Sequence, residues 1–296
     1  MSANDERPAL HLEPQQGEGA SRRSFLRKVS VAGAIGAAGL SGLLTIASPR
    51  ALGLTMLNRA EDDRDGREDD RDDAKKRDHD ILIAAEIAEA LAVTTYTNII
   101  DGSPFFTRLP LDDQGYLVAA RQEEMSHYLL EKSVTGDPSP FSSFFYPPNM
   151  FADAQTTLNV LVTLEDAFIA AYLVGVRNFS TPDFRVTAAR IMGIESDHRT
   201  LARVLAGDIA AQDGGPIENI TGIQGVPESA DPPNNNGYER TQCWTRIQQA
   251  VTALTPFVDM TAAKAAGFDV SKSYGFSPFT PTLPNPLGDF ISLKGC

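Results

Sequence analysis

Between residues 78 and 207, apolar positions recur three and four residues apart in four successive stretches, the period of a helix with one buried side. The first is expected to start from a cap at Asp78 or Asp80 and to reach about Ile100, stopping at Asp101-Gly102. Its inward face reads Leu82, Ala85, Glu89, Val93 and Tyr96. After Pro104 and Pro110, Asp112 is a candidate cap for a second helix ending near Thr135-Gly136, with Leu117, Ala120, Glu124 and His127 inward and Leu130 close by. The third is expected from about Phe151 to Asn178, with Leu158, Leu161, Glu165, Phe168 and Tyr172 inward. Thr181-Pro182-Asp183 joins a capping hydroxyl, a proline at the first helical position and an acid in the first turn. A fourth helix therefore starts there and runs to about Gly207, turning Ala188, Ile191, Glu195, His198 and Leu201 or Ala202 inward.

The pattern predicts an all-α fold: an antiparallel four-helix bundle over 78–207, with a long crossover and an irregular C-terminal extension over 208–296 containing one further helix. The crossover, Asp137 to Asn149, carries Phe141, Phe144, Phe145 and Tyr146 and reads as an ordered connection whose aromatics cover the bundle. The extra helix is expected from Tyr238 to Leu254 or beyond, with Trp244, Ile247, Val251 and Leu254 on its apolar side. Beyond Phe268 the tail has prolines at 278, 281, 284 and 286 and should wrap the bundle. An internal repeat underlies the pattern: residues 88–96 and 164–172 correspond, each with Glu followed seven residues later by Tyr, and each hairpin then continues to Glu-x-x-His.

The first 52 residues read as an address. Ser21-Arg22-Arg23-Ser24-Phe25-Leu26-Arg27-Lys28, followed by an apolar run from Val31 to Ala47, resembles a twin-arginine export signal. Glycines 33, 36, 39 and 42 dilute that run, so a cleaved signal is favoured over a retained membrane anchor. The chain is thus expected in the periplasm or cell envelope, with the twin-arginine translocation machinery as a partner. Residues 53–77 form a charged linker, read as a solvated tether. With 296 residues and 42% apolar content the chain can fill a core, and its net charge of -13 argues against nucleic acid as a partner. Cys243 and Cys296 are either a disulfide, stabilising by about 4 kcal/mol, or two unlinked thiols. The absence of Cys-x-x-Cys excludes a rubredoxin-type or thioredoxin-type module in this chain.

The chemistry lies in Glu124-x-x-His127 and Glu195-x-x-His198. Residues three apart on a helix share a face, so each pair offers a carboxylate and an imidazole to one point. Of the four histidines, His11 falls in the export tail and His79 at the linker's edge, leaving the other two in this motif. With Glu89 and Glu165, the order Glu, Glu-x-x-His, Glu, Glu-x-x-His is the ligand set of bundles that hold two metal ions. Burying four carboxylates without a cation would be costly. Glu86, one turn from Glu89, is an alternative first-helix ligand; Glu123, Glu131, Asp166 and Asp197 are expected to face solvent or neighbouring side chains.

On these residues the chain resembles the ferritin-like superfamily, and within it an exported group related to desiccation-associated proteins. The resemblance implies Glu89, Glu124, His127, Glu165, Glu195 and His198 as ligands of two ions of iron or manganese, with Glu124 and Glu195 bridging. It also implies that Tyr96 and Tyr172 hydrogen-bond ligands, against a reading of both as core aromatics. The implied activity is oxidoreduction of a small substrate: peroxide in a manganese catalase, or oxygen and ferrous iron in a di-iron oxidase. A non-catalytic envelope or desiccation-stress protein is the alternative, and a homo-oligomer is compatible with either.

Overall fold

A computed structural model describes residues 66–213 and 243–282. The export motif, the segment 214–242 and Cys296 lie outside them. Within the described residues the protein is mostly helical. Helix α1 is Gly66–Gly102, α2 Leu111–Thr135, α3 Ala154–Asn178 and α4 Pro182–Asp213. The helices α1 and α2 pack as one hairpin and α3 and α4 as another, and the hairpins meet through α1 on α3 and α2 on α4.

Helix α1 begins at Gly66, well before the expected caps, so part of the supposed tether is helix. Arg77 donates through Nε to the carbonyl of Asn178 at 2.9 Å, satisfying the end of α3. Asp78 does not cap its own helix; it is buried and accepts the backbone N–H of Ser180 at 2.9 Å, in the turn between α3 and α4. From Ile83 to Tyr96 every residue of α1 is buried, because α2, α3 and a helix of the C-terminal extension all pack on it.

The other helix ends follow local chemistry. Asp112 is not a cap: Pro110 takes that place without a side-chain bond, and Asp112 and Asp113 lie in the first turn, where the helix dipole favours acids. Gly136, at φ 81°, closes α2 in the left-handed conformation that glycine adopts without strain. Helix α3 starts at Ala154 rather than near Phe151, with the Asp153 carboxylate accepting the Thr156 N–H at 2.7 Å. The Thr181 hydroxyl accepts the Phe184 N–H at 3.3 Å, and α4 runs to Asp213 rather than Gly207. By length and composition α3 resembles a membrane span, yet 72% of its most apolar window is buried within this fold, as in a core helix.

The expectation of an all-α fold is corrected by two short strands, β1 Ser143–Tyr146 and β2 Asp269–Gly275. They pair antiparallel, with Ser143 opposite Gly275 and Phe144 opposite Tyr274. The pairing seats Tyr146 in an aromatic cluster, its ring 5.2 Å from Tyr274, 5.0 Å from Phe151 and 5.9 Å from Phe257. Long-range pairing of so short a segment leaves no periodic signal in either strand alone. The single further helix becomes two, α5 Ile247–Val258 and α6 Met260–Ala265. The chain turns extended at Asp259, whose carboxylate caps α6 through the Ala262 N–H at 2.8 Å. The tail returns to α2, where Gln122 exchanges two hydrogen bonds with Thr282, at 3.1 and 2.7 Å.

Candidate metal centre

The helical spacing brings Glu124 and His127 of α2, and Glu195 and His198 of α4, to the interior between the hairpins, facing Glu89 of α1 and Glu165 of α3. None of the six is more than 4% exposed. They gather in two overlapping groups: Glu89, Glu124, His127 and Glu195 in one, and Glu124, Glu165, Glu195 and His198 in the other, each with its ligand-type atoms within 4.8 Å of one another. Glu124 and Glu195 belong to both.

His127 Nδ1 lies 3.5 Å from Glu89 Oε2, 3.5 Å from Glu124 Oε2 and 3.2 Å from Glu195 Oε1. His198 Nδ1 lies 2.7 Å from Glu124 Oε1 and 3.6 Å from Glu195 Oε2. None of these approaches meets the geometry of a hydrogen bond. Both oxygens of Glu124 and of Glu195, one each of Glu89 and Glu165, both nitrogens of His127 and Nδ1 of His198 are buried without a hydrogen-bond partner. So many unpaired polar atoms in one interior cost several kcal/mol unless something binds them together. A metal cation would do so, and each group offers carboxylates and one imidazole that could hold one.

The surrounding side chains orient these groups. His198 Nε2 sits 2.9 Å from Glu123 Oε2; a proton on Nε2 bonded to that carboxylate leaves the Nδ1 lone pair facing the cluster. Tyr96 donates to Glu165 Oε1 at 2.7 Å. Tyr172 donates to Glu89 Oε1 and also lies 2.7 Å from Glu131 Oε1. Two hydrogen bonds need two hydrogens, so one carboxyl of the pair Glu89 and Glu131 carries a proton. Burial pushes both well above the usual carboxylate range, and the carboxylate of Glu124 adds to the rise at Glu89. Burial followed by the same Glu124 charge raises Glu165 as well. At Glu124 itself burial pushes upward, but the His198 charge together with the interactions of Glu89, His127 and His198 outweighs it, and the carboxyl is held below its ordinary value. Burial lowers the basicity of both imidazoles, yet the carboxylates around them together raise it well above normal: Glu89, Glu124 and Glu195 at His127, and Glu124, Glu123 and Glu195 at His198.

Glu86 is buried but stands outside both groups, hydrogen-bonded by the Thr135 hydroxyl at 3.2 Å, so Glu89 and not Glu86 faces the cluster. Asp166 pairs with Arg199 at 2.6 Å and Asp197 is exposed, while Glu131, buried against Tyr172, was not singled out as a site residue. Its signal was available: Glu131 follows His127 by four residues and therefore shares its face. Arg199 and Arg203 are also buried on α4, where nothing in the apolar periodicity marks them. Cys243 is exposed.

No curated protein and no solved structure matches the chain. Residues 73–208, from within α1 to within α4 and including the whole Glu/His cluster, match the family model described as a ferritin-like domain, which supports the ferritin-like superfamily for this stretch.

Proposed function

We propose that the two hairpins form a ferritin-like four-helix bundle holding two ions of iron or manganese, and that the protein is an exported oxidoreductase acting on peroxide or on oxygen and ferrous iron. The observation that carries this reading is the overlap of two four-residue groups that share Glu124 and Glu195, both with no hydrogen bond to either carboxylate oxygen. Glu89 and His127 would complete the ligands of one ion and Glu165 and His198 those of the other, with Glu124 and Glu195 available to both. Two such ions, when bound, would supply oxidation and reduction chemistry.

The chain's own residues do the rest. Tyr96 and Tyr172 hold Glu165 and Glu89 in place, and Glu123 holds the His198 ring. The apolar core around the cluster excludes water. The twin-arginine motif suggests export in a folded state, which lets iron or manganese be loaded before the chain meets copper or zinc outside the cytoplasm.

Metal analysis of the chain purified from its own export route, followed by two assays, tests the reading. Manganese with oxygen evolution from peroxide assigns catalase chemistry. Iron with oxygen uptake on adding ferrous ion assigns ferroxidase chemistry. Two metals with neither activity would leave a structural role in the envelope, and no metal would overturn the site.

A further inference from the structure

Beside the Glu/His cluster lies a second feature that the metal reading does not use. An apolar pocket opens at one end of the four long helices. Leu82, Leu130, Val134 and Phe184 stand partly exposed around its entrance, and Ala88 and Phe168 are buried deeper in. Its lining is apolar except at Thr187 and at its buried polar end, where Glu131 and Tyr172 sit together.

Glu131 is only 3% exposed, and its Oε2 has no hydrogen-bond partner. Its other oxygen, Oε1, is engaged by the Tyr172 hydroxyl at 2.7 Å. Whichever of those two groups supplies the shared hydrogen, it lies on the Oε1 side, and Oε2 remains an acceptor. A buried acceptor left unmatched is costly, and a ligand bringing one donor would recover that cost. The remaining wall offers contact for hydrocarbon and little else. The internal symmetry does not demand this acid: the position corresponding to Glu131 in the second hairpin, four residues after His198, is the buried Ala202.

We propose that this pocket binds a small apolar molecule ending in one hydroxyl group, an alcohol or a phenol, with the hydroxyl donating to Glu131 Oε2 and the hydrocarbon body lying between α1, α2, α3 and α4. This binding site does not depend on the metal reading, although its polar end is one side chain, Tyr172, away from Glu89.

The test is calorimetric titration of the full chain with 4-propylphenol and with propylbenzene, which lacks the hydroxyl. Fluorescence of Trp244, the one tryptophan in the chain, gives a second readout, since it is buried in the same apolar cluster as the pocket-lining Ile247 and Ala85. The expected result is saturable binding of one 4-propylphenol per chain, at least tenfold tighter than propylbenzene. Glu131→Leu should bring the two ligands to within about twofold of each other, because the acceptor alone discriminates them. Val134→Trp, at the partly exposed mouth, should weaken both at least tenfold, and serves as the test if Glu131→Leu does not fold. Absence of saturable binding, equal affinity of the wild-type chain for both ligands, or binding indifferent to Val134→Trp would overturn the proposal. Elemental analysis of the same samples separates the two readings: a metal-loaded chain that ignores the phenol refutes the pocket alone, and a metal-free chain that binds it refutes the metal site alone.

Discussion

Tyr96 of the first hairpin donates its hydroxyl to Glu165 of the second, at 2.7 Å, and Tyr172 of the second donates to Glu89 of the first. Each tyrosine therefore serves the glutamate of the opposite hairpin and not the one seven residues before it. The exchange ties the hairpins together at the level of the cluster. Removing either hydroxyl with Tyr96→Phe or Tyr172→Phe should cost about 1–2 kcal/mol in the metal-free chain, because a buried carboxylate oxygen loses its donor. Metal occupancy should stay near the wild-type value. Urea melts and elemental analysis on the two variants check both halves, and loss of metal in Tyr96→Phe would make the tyrosine more than a positioning group.

The sharing of Glu124 and Glu195 between the two groups predicts an asymmetry among ligand substitutions. Glu124→Ala or Glu195→Ala should empty both positions, whereas Glu89→Ala or Glu165→Ala should reduce occupancy towards one ion per chain. Metal-to-protein ratios decide the matter. A Glu124→Ala chain that retains two ions refutes the bridging role.

Glu86 provides a pH-dependent prediction away from the cluster. Burial raises its carboxyl to about 7 from the ordinary 4.5, outweighing the Thr135 hydrogen bond and the Lys132 charge. The folded metal-free chain then holds a proton that the unfolded chain releases, so this group's contribution falls as pH rises from about 4.5 to 7 and is constant above that. The total is about 3 kcal/mol. Glu86→Gln should therefore gain about that much on the wild type between pH 4.5 and 8, as measured by urea melts at both values. A stability difference that is the same at both pH values would show that another group titrates.

Two glycines of the long helices should answer oppositely to alanine. A Cβ on Gly175 of α3 would meet the Phe179 ring at 2.9 Å and Ala188 Cβ of α4 at 3.2 Å, so these two helices pack too closely for it. Overpacking of about 1–3 kcal/mol exceeds the helix-propensity gain of about 1 kcal/mol, and Gly175→Ala should lower stability by roughly 1 kcal/mol. Gly193 of α4 is exposed, with nothing within 4 Å of a Cβ, so Gly193→Ala should raise stability by up to about 1 kcal/mol. Paired thermal melts test the sign of each.

Much of this was legible in the chain because the information was local. The 3.6-residue period set out four long helices, and Thr181-Pro182-Asp183 and Gly136 marked their ends through backbone chemistry that needs no partner. Glu-x-x-His places two groups on one helix face wherever that helix lies, so the six cluster residues stood out before their neighbours were known. What depended on partners distant in the sequence did not. Asp78 looked like a helix cap until the α3–α4 turn engaged it, and α1 starts earlier than local signals suggest. The β1–β2 pair joins residues more than a hundred apart, and its short strands carry no period. Glu131 shares the His127 face, but only the fold puts its carboxyl between Tyr172 and an apolar pocket. The sequence by itself determined the helices and which residues could face inward; the tertiary structure decided which hairpin's tyrosine serves which glutamate, because a hydrogen bond between hairpins depends on how they dock and not on spacing within either.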